Sequence, residues 1–384
     1  MRVCIPRETR EGEKRVALVP DVVSKLTKLG YEVVVQSGAG DHSQATDALF
    51  IAAGATVSPG DVLAGADVVL SVQPLTASQM ATLKKGAVTI SFLSPATAAD
   101  SIDAAASAGV TAFSLELVPR ISRAQSMDAL SSQALCAGYR AALVGAELSP
   151  RFFPLLMTAA GTVTPAQVLV LGAGVAGLQA IATARRLGAV VSAYDVRPAS
   201  ADEVRSMGAT FIQLELEALE GAGGYAREMT EERAAKQREL LTPYIAKSHV
   251  VITTAAVPGR AAPRLMTKDM VDAMEPGTII VDLAAETGGN VEGSKPGEIV
   301  VTEGGVRIWG GKDVPSQLPF HASSLYARNV VNLLTLMTTP ASPAREDKPA
   351  VELALNINFD DEIINGAAVT HNGSRRTPDA KAAK

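Results

Sequence analysis

Cysteine is almost absent from this chain. Cys4 and Cys136 are the only two, too few for a disulfide framework or, by themselves, a zinc site, which suits a reducing compartment. Aromatic residues are scarce as well, 4% with a single tryptophan, Trp309, so a core must be built from Ala, Val, Leu and Ile. There is no basic excess: 35 Lys and Arg stand against 40 Asp and Glu, a formal net charge of −5. A nucleic-acid reader carries a basic patch or stripe, so that class drops away. No uninterrupted run of ~20 apolar residues occurs; the most apolar window, 168–184, is Gly-rich and ends at Arg185-Arg186. The opening MRVCIPRETR has no apolar h-region. Neither a membrane span nor a signal peptide is expected. Histidine is rare too. His42, His249, His321 and His371 lie at loops, junctions or a helix start, and each reads as a surface or capping residue.

What remains is apolar and divisible. Hydrophobic residues make up 47% of 384, enough to offset chain entropy, and the length predicts two or three domains. Short β-like runs (Val3–Ile5, Tyr31–Val35, Asp67–Val72, Ala87–Phe92, Val110–Leu115) alternate with helical patterns at Pro20–Leu29, Ala77–Leu83 and Thr97–Ala108. Such alternation implies a parallel sheet covered on both faces. A second series starts at Gln167, with strands at Val168–Leu171, Val190–Tyr194, Val250–Thr254 and Thr278–Leu283 and helices at Ala176–Leu187, Ser200–Met207 and Lys268–Met274. A polar insertion, Glu215 to about Glu239, interrupts it, and Glu298–Val301 and Val306–Trp309 close it. Helical runs at Ser122–Glu147 and Ala322–Leu336 cross between the series. The expected fold is therefore α/β, two Rossmann-like doubly wound domains. The first is discontinuous (1–130 with 320–384) and encloses the second (131–319). Leu353–Asn358 and Ala367–His371 read as a C-terminal β-ribbon, too small to stand alone and so expected on a partner surface. Arg375–Lys384 reads as a frayed end.

The sharpest motif is VLVLGAGVAGLQA, in which Gly172, Gly174 and Gly177 follow a strand and open a helix. Gly172 suits a tight turn, Gly174 lets the backbone reach a pyrophosphate, and Gly177 permits close helix–strand packing. Asp195 ends the next strand, 21 residues after Gly174, where a carboxylate accepts from ribose hydroxyls and repels a 2′-phosphate; this favours NAD(H). Arg197 can touch the cofactor or simply be solvated. Ala255, Ala256 and Asp282–Glu286 follow later strands, where open sheets place ligands.

A second segment is unusually polar. VPRISRAQSMDALSSQ, residues 118–133, gathers Arg120, Arg123, Gln125, Asp128, Ser131 and Ser132. Gln125 and Asp128, three apart, are expected on one helix face. Two readings stand: a polar set for an amide and ribose, or a self-capping helix start with Ser122 as N-cap.

Together with YDVRP, AGGYAREM, TTAAVPGRAAP and VDLAAETGGN, these motifs resemble the NAD(H)-binding component of proton-translocating nicotinamide nucleotide transhydrogenase. Alanine dehydrogenases, which are related, share the opening IPRETREGEKRVAL. The resemblance implies that Arg120, Gln125, Asp128 and Ser131 serve the nicotinamide end and the hydride step. It assigns Ala173, Val175 and the glycines to the pyrophosphate and Asp195, Val196 and Arg197 to the adenosine. It makes Gly224 and Tyr225 part of a loop over the cofactor, and Gln237 and Ala256 further contacts. It implies NAD(H) here, NADP(H) on a partner subunit and no metal. It further implies a homodimer working with a membrane-spanning subunit and an NADP(H)-binding subunit, held through them on the cytoplasmic side of the inner membrane. The enzymatic alternative is an alanine dehydrogenase-like oxidoreductase. Where those enzymes carry a substrate-binding lysine and a catalytic histidine, Gln73 and Leu93 stand here, so Arg15 alone cannot orient and protonate an imino acid. A non-enzymatic alternative is an NAD-sensing scaffold.

Overall fold

A computed structural model describes residues 1–95, 98–216, 230–257, 259–340 and 353–376. The chain divides into two compact units, Met1–Gln133 with Ser316–Lys384, and Ala134–Pro315.

In the first unit, strands β1 (Arg2–Ile5), β2 (Glu32–Gln36), β3 (Thr56–Ser58), β4 (Val68–Leu70), β5 (Val88–Ser91) and β6 (Thr111–Ser114) form a parallel sheet in the order β3-β2-β1-β4-β5-β6. Helices α1 (Pro20–Lys28), α2 (Asp47–Ala52), α3 (Ala77–Thr82) and α4 (Ala99–Ser107) connect them. Alternation along β1 splits the core in two. Val3 and Ile5 face one cluster with Val23, Leu26 and Phe50, while Cys4 faces another with Met80 and Ile102, as the period of a strand requires. Helix α2 and strand β3 escaped the pattern reading because they are short and half exposed.

The expected helix Ser122–Glu147 is broken. Residues Ser122–Met127 form a 3-10 turn, and α5 (Ala129–Leu148) begins only after Asp128. The Asp128 carboxylate accepts from the Ser131 N–H (2.9 Å) and hydroxyl (2.6 Å), so Asp128, rather than Ser122, caps the helix. Gln125 and Asp128 consequently do not share a helix face.

The second unit begins within α5, whose Ala141, Ala142 and Val144 enter its core, and continues with a hairpin, β7 (Leu156–Thr158) and β8 (Gly161–Val163). Its sheet comprises β9 (Gln167–Leu171), β10 (Val190–Tyr194), β11 (Thr210–Phe211), β12 (Val250–Thr253), β13 (Ile279–Asp282), β14 (Ile299–Val301) and β15 (Arg307–Gly310). The order is β11-β10-β9-β12-β13-β15-β14, parallel except for the edge strand β14. Helices α6 (Val175–Arg186), α7 (Ser200–Ser206), α8 (Glu231–Ala246) and α9 (Lys268–Asp272) accompany it. Helix α8 takes up the end of the stretch read as a polar insertion, Glu215 to about Glu239, and was not expected there. It is polar on most sides and buries only Gln237, Leu241 and Ile245, one residue per turn, a stripe too thin to register as periodicity.

The chain then returns to the first unit as α10 (Pro319–Leu336), whose Tyr326, Val330, Leu333 and Leu334 are buried in the first core. Strand β16 (Thr338–Pro340) pairs antiparallel with β17 (Leu353–Leu355); α11 (Glu362–Ala367) follows, then a ladder of β18 (Thr370–His371) and β19 (Ser374–Arg375). The two expected ribbon segments therefore do not pair with each other. The second is drawn to the sheet edge instead: the Val369 N–H donates to the Ala112 carbonyl of β6, and Ala368 bridges Phe113. Ile363, Ile364, Ala367 and Ala368 enter the core, with Leu355, Ile357 and Phe359 packed against it. The tail's apolar face is thus covered by its own unit, and Arg375 is tied to Asp103 rather than frayed. We expect Ile363→Ala to cost about 2–5 kcal/mol in urea unfolding, by the same amount at every protein concentration. A cost that grew on dilution would return the tail to a partner surface.

Candidate functional site

The dinucleotide-type turn is built by close approach. Gly172 has φ +103°, and a Cβ there would lie 2.6 Å from the Thr254 hydroxyl. Its N–H donates to the Tyr194 carbonyl (2.8 Å), tying the turn to the end of β10. A Cβ at Gly177 would stand 1.9 Å from the Gly172 carbonyl oxygen, so α6 can start against the turn only with glycine there. Gly174, at the N-cap, has open space on its Cβ side and offers no side-chain cap. The first-turn N–H groups of α6 from Val175 onward are therefore unspent by any side chain, the arrangement that receives an anion.

Asp195 is the hub of this turn. Its carboxylate accepts from the Ala173 N–H (2.7 Å), the Arg197 N–H (2.9 Å), and the Arg197 Nε and Nη2 (2.9 Å each). Four donors fill the four lone-pair directions of a carboxylate. Arg197 is thus an ion-pair partner of Asp195. Ribose hydroxyls can reach this carboxylate only by taking the guanidinium's place. Val196, between them, is half buried against the core.

Gln237 on α8 is buried, and its Oε1 accepts from the Tyr194 hydroxyl (3.1 Å). Burial pushes that phenol up to about 12, so it stays a neutral donor. Ala256 is exposed in the loop after β12. That loop is held by Asn290, which motif reading overlooked, together with Asp282, which it had placed at its strand end. The Asn290 amide donates to the carbonyls of Ala255 and Pro263 (2.8 Å each) and accepts from the Ala255 N–H. The fully buried Asp282 accepts from the Thr253 hydroxyl and the N–H groups of Ala284, Asn290 and Val291. The readable signal was an acidic residue ending an apolar strand, followed by Gly-Gly-Asn. Gly224 and Tyr225 lie outside the described residues.

In the first unit, Gln125 and Arg120 are exposed, Gln125 on the 3-10 turn, while Asp128 and Ser131 are bonded to each other. The turn is clamped from α10 and the tail: Asn329 donates to the Ser126 carbonyl (2.9 Å), and Arg123 pairs with Asp361 (2.8 Å) and Glu362. Of the expected residues, then, the structure bonds Ala173, Asp195 and Arg197 into one group in the second unit, with Gly177 packed against Gly172 in the same turn. Asp128 and Ser131 form another in the first.

Residues 4–137 match the family described as "Alanine dehydrogenase/PNT, N-terminal domain", and residues 141–376 its C-terminal domain. The chain belongs to the alanine dehydrogenase/PNT family. Within it, an NAD(P) transhydrogenase subunit alpha chain of Rhodospirillum rubrum is 48% identical over 97% of both chains. The crystal structure of transhydrogenase from Sinorhizobium meliloti superposes with TM-score 0.84 at 43% identity, covering 98% of this chain and 99% of that one. Alanine dehydrogenase of Mycobacterium tuberculosis is 36% identical over 77% of this chain and 76% of its own length.

Between these two branches of the family, a buried cluster in the first unit is informative. Arg15 donates Nε and Nη2 to the Glu13 carboxylate (2.7 and 2.6 Å) and Nη1 to Gln133 (2.9 Å). Gln73 also donates to Glu13 (2.6 Å). Burial alone would raise Glu13, but the hydrogen bonds and charge of Arg15 hold it down at about 2. Glu8, which accepts from the Val72 and Gln73 N–H groups, is lifted by burial to about 7. Leu93 is 1% exposed, inside the core. The guanidinium is spent within the protein. For the turn itself, Gly177→Ala should abolish nucleotide binding while leaving far-UV circular dichroism unchanged. A variant that binds ADP-ribose normally would show that α6 can retreat from Gly172.

Proposed function

We propose that this chain is the NAD(H)-binding subunit of a proton-translocating transhydrogenase, passing hydride from NADH to NADP⁺ held on a partner subunit. The observation that carries this reading is the pairing of an open glycine turn with an Arg15 already neutralised by Glu13. A dehydrogenase for an amino acid needs a cation for the substrate carboxylate and a group that exchanges a proton with the substrate nitrogen. Here Leu93 and Gln73 supply neither. Transfer between two nicotinamides needs neither, since a hydride leaves one ring and joins the other with no substrate proton to handle. The names of the similar Rhodospirillum and Sinorhizobium proteins support the same reaction.

In this reading the α6 N-terminus, from Ala173 through Val175 to Gly177, carries the pyrophosphate. Asp195 takes the adenosine ribose in exchange for Arg197, with Val196, Gln237 and Ala256 alongside. Arg120, Gln125, Asp128 and Ser131 serve the nicotinamide end; the Asp128–Ser131 bond pre-sets that pair. Among the described residues no helix is long and apolar enough to cross a membrane. The resemblance to transhydrogenase supports the reading that membrane-spanning and NADP(H)-binding subunits work with this one and hold it peripherally at the cytoplasmic face. Purified chain mixed with the NADP(H)-binding subunit should transfer hydride from NADH to an NADP analogue, and Gln125→Asn should slow that transfer by ~10²-fold with little change in NADH affinity. No transfer with the unmodified chain, or turnover with pyruvate and ammonia, would overturn the assignment.

The chain is further read as a homodimer, through a different surface from the tail. Hairpin β7–β8 is exposed throughout, with Met157 79% and Leu156 38% accessible beside Leu155 and Phe152. A two-stranded ribbon with apolar side chains in water is marginal, and a two-fold partner would cover it. Met157→Asp should give a monomer in analytical ultracentrifugation; an unchanged dimer would move the interface off the hairpin.

A further inference from the structure

The second unit contains a cavity of about 310 Å³ beyond the carboxyl ends of β10 and β11, lined in part by Asp195, Asp202, Arg205, Phe211 and Arg233. Its charges are settled with one exception. Asp195 is saturated by the Ala173 N–H and Arg197. Asp202 holds Arg205 at 3.0 Å. Arg233, in the first turn of α8, has a buried Nε with no hydrogen-bond partner, and among the described residues its guanidinium enters no ion pair. Buried polar groups are nearly always satisfied, so an orphaned donor in a cavity wall points to something that binds there.

We infer that Arg233 is a cofactor-binding residue, donating its Nε–H to a ring nitrogen of the dinucleotide's adenine. The inference rests on the dinucleotide reading of this unit and names a contact which that reading did not contain. The wall chemistry selects the base over a phosphate. Val196, Pro198, Phe211 and Leu214 also line the cavity, and such apolar surface suits a flat purine while stripping water from a phosphate without replacing it. A planar guanidinium both donates in its plane and lies flat on an aromatic face. Arg233 also stands one turn before Gln237 on α8. The helix that pattern reading passed over would thus supply one side of the adenosine pocket.

The test uses the full-length chain and displacement of NADH fluorescence by four probes: adenosine, AMP, ADP-ribose and reduced nicotinamide mononucleotide. Arg233→Ala should weaken adenosine, AMP and ADP-ribose alike, by about tenfold, and leave the mononucleotide unchanged. Arg233→Gln, which keeps a donor, should recover part of the loss. Weakening confined to the phosphate-bearing probes would overturn the base contact in favour of a phosphate contact. Equal weakening of all four probes would reduce Arg233 to a structural residue. If the unmodified chain binds neither NADH nor adenosine, the dinucleotide reading itself fails, and that outcome is separable because it needs no variant.

Discussion

A parallel strand ends with backbone N–H groups that no neighbouring strand accepts, and in both units these are taken by carboxylates. Glu8 receives the N–H groups of Val72 and Gln73 after β4, and Glu116 those of Leu93 and Ser94 after β5. In the second unit Asp195 holds Ala173, and Asp282 holds Ala284, Asn290 and Val291. Each such bond links a charge to the loop at the carboxyl edge of the sheet, the edge where open α/β sheets bind ligands. Were these carboxylates removed, the strands would still pair, but the loops that shape a site would lose their anchors.

The same strand order serves two different ends. In both sheets the central pair, β1–β4 and β9–β12, marks the point where strand order reverses. In the second unit that point carries the glycine turn, open in front of α6. In the first it carries Glu13, Arg15 and Gln73, bonded to one another and to Ser316. An arginine already paired within the protein is not free to receive a carboxylate. The strand order is common to both units; what separates them at this point is a few side chains at the strand ends.

What was legible in the sequence was local. Strands such as Val168–Leu171 and Val190–Tyr194 are apolar runs whose alternate residues pack on opposite faces, and a buried strand has no other pattern available. The glycine turn was legible because a backbone at φ +103° and a Cβ 1.9 Å from a carbonyl exclude every other residue. Asp195 was placed correctly at its strand end; that its lone pairs are already occupied was not readable, since saturation depends on the side-chain geometry of Arg197.

Whatever depended on distant partners was decided only by the tertiary structure. The helix expected from Ser122 breaks at Asp128, in a turn clamped by Asn329 and Asp361, more than 190 positions away in the chain. The tail, read as a ribbon destined for a partner surface, folds back because β6 offers an unpaired edge at Ala112 and Phe113. Helix α8 is invisible to periodicity because its packing uses one residue per turn, and the orphaned Nε of Arg233 emerges only once its neighbours have paired elsewhere. The sequence by itself determined the two nucleotide-type sheets and the glycine turn, because backbone sterics and strand alternation act over a few residues. Which charges are spent and which are left free followed from packing, because a carboxylate's partners are chosen by proximity in space.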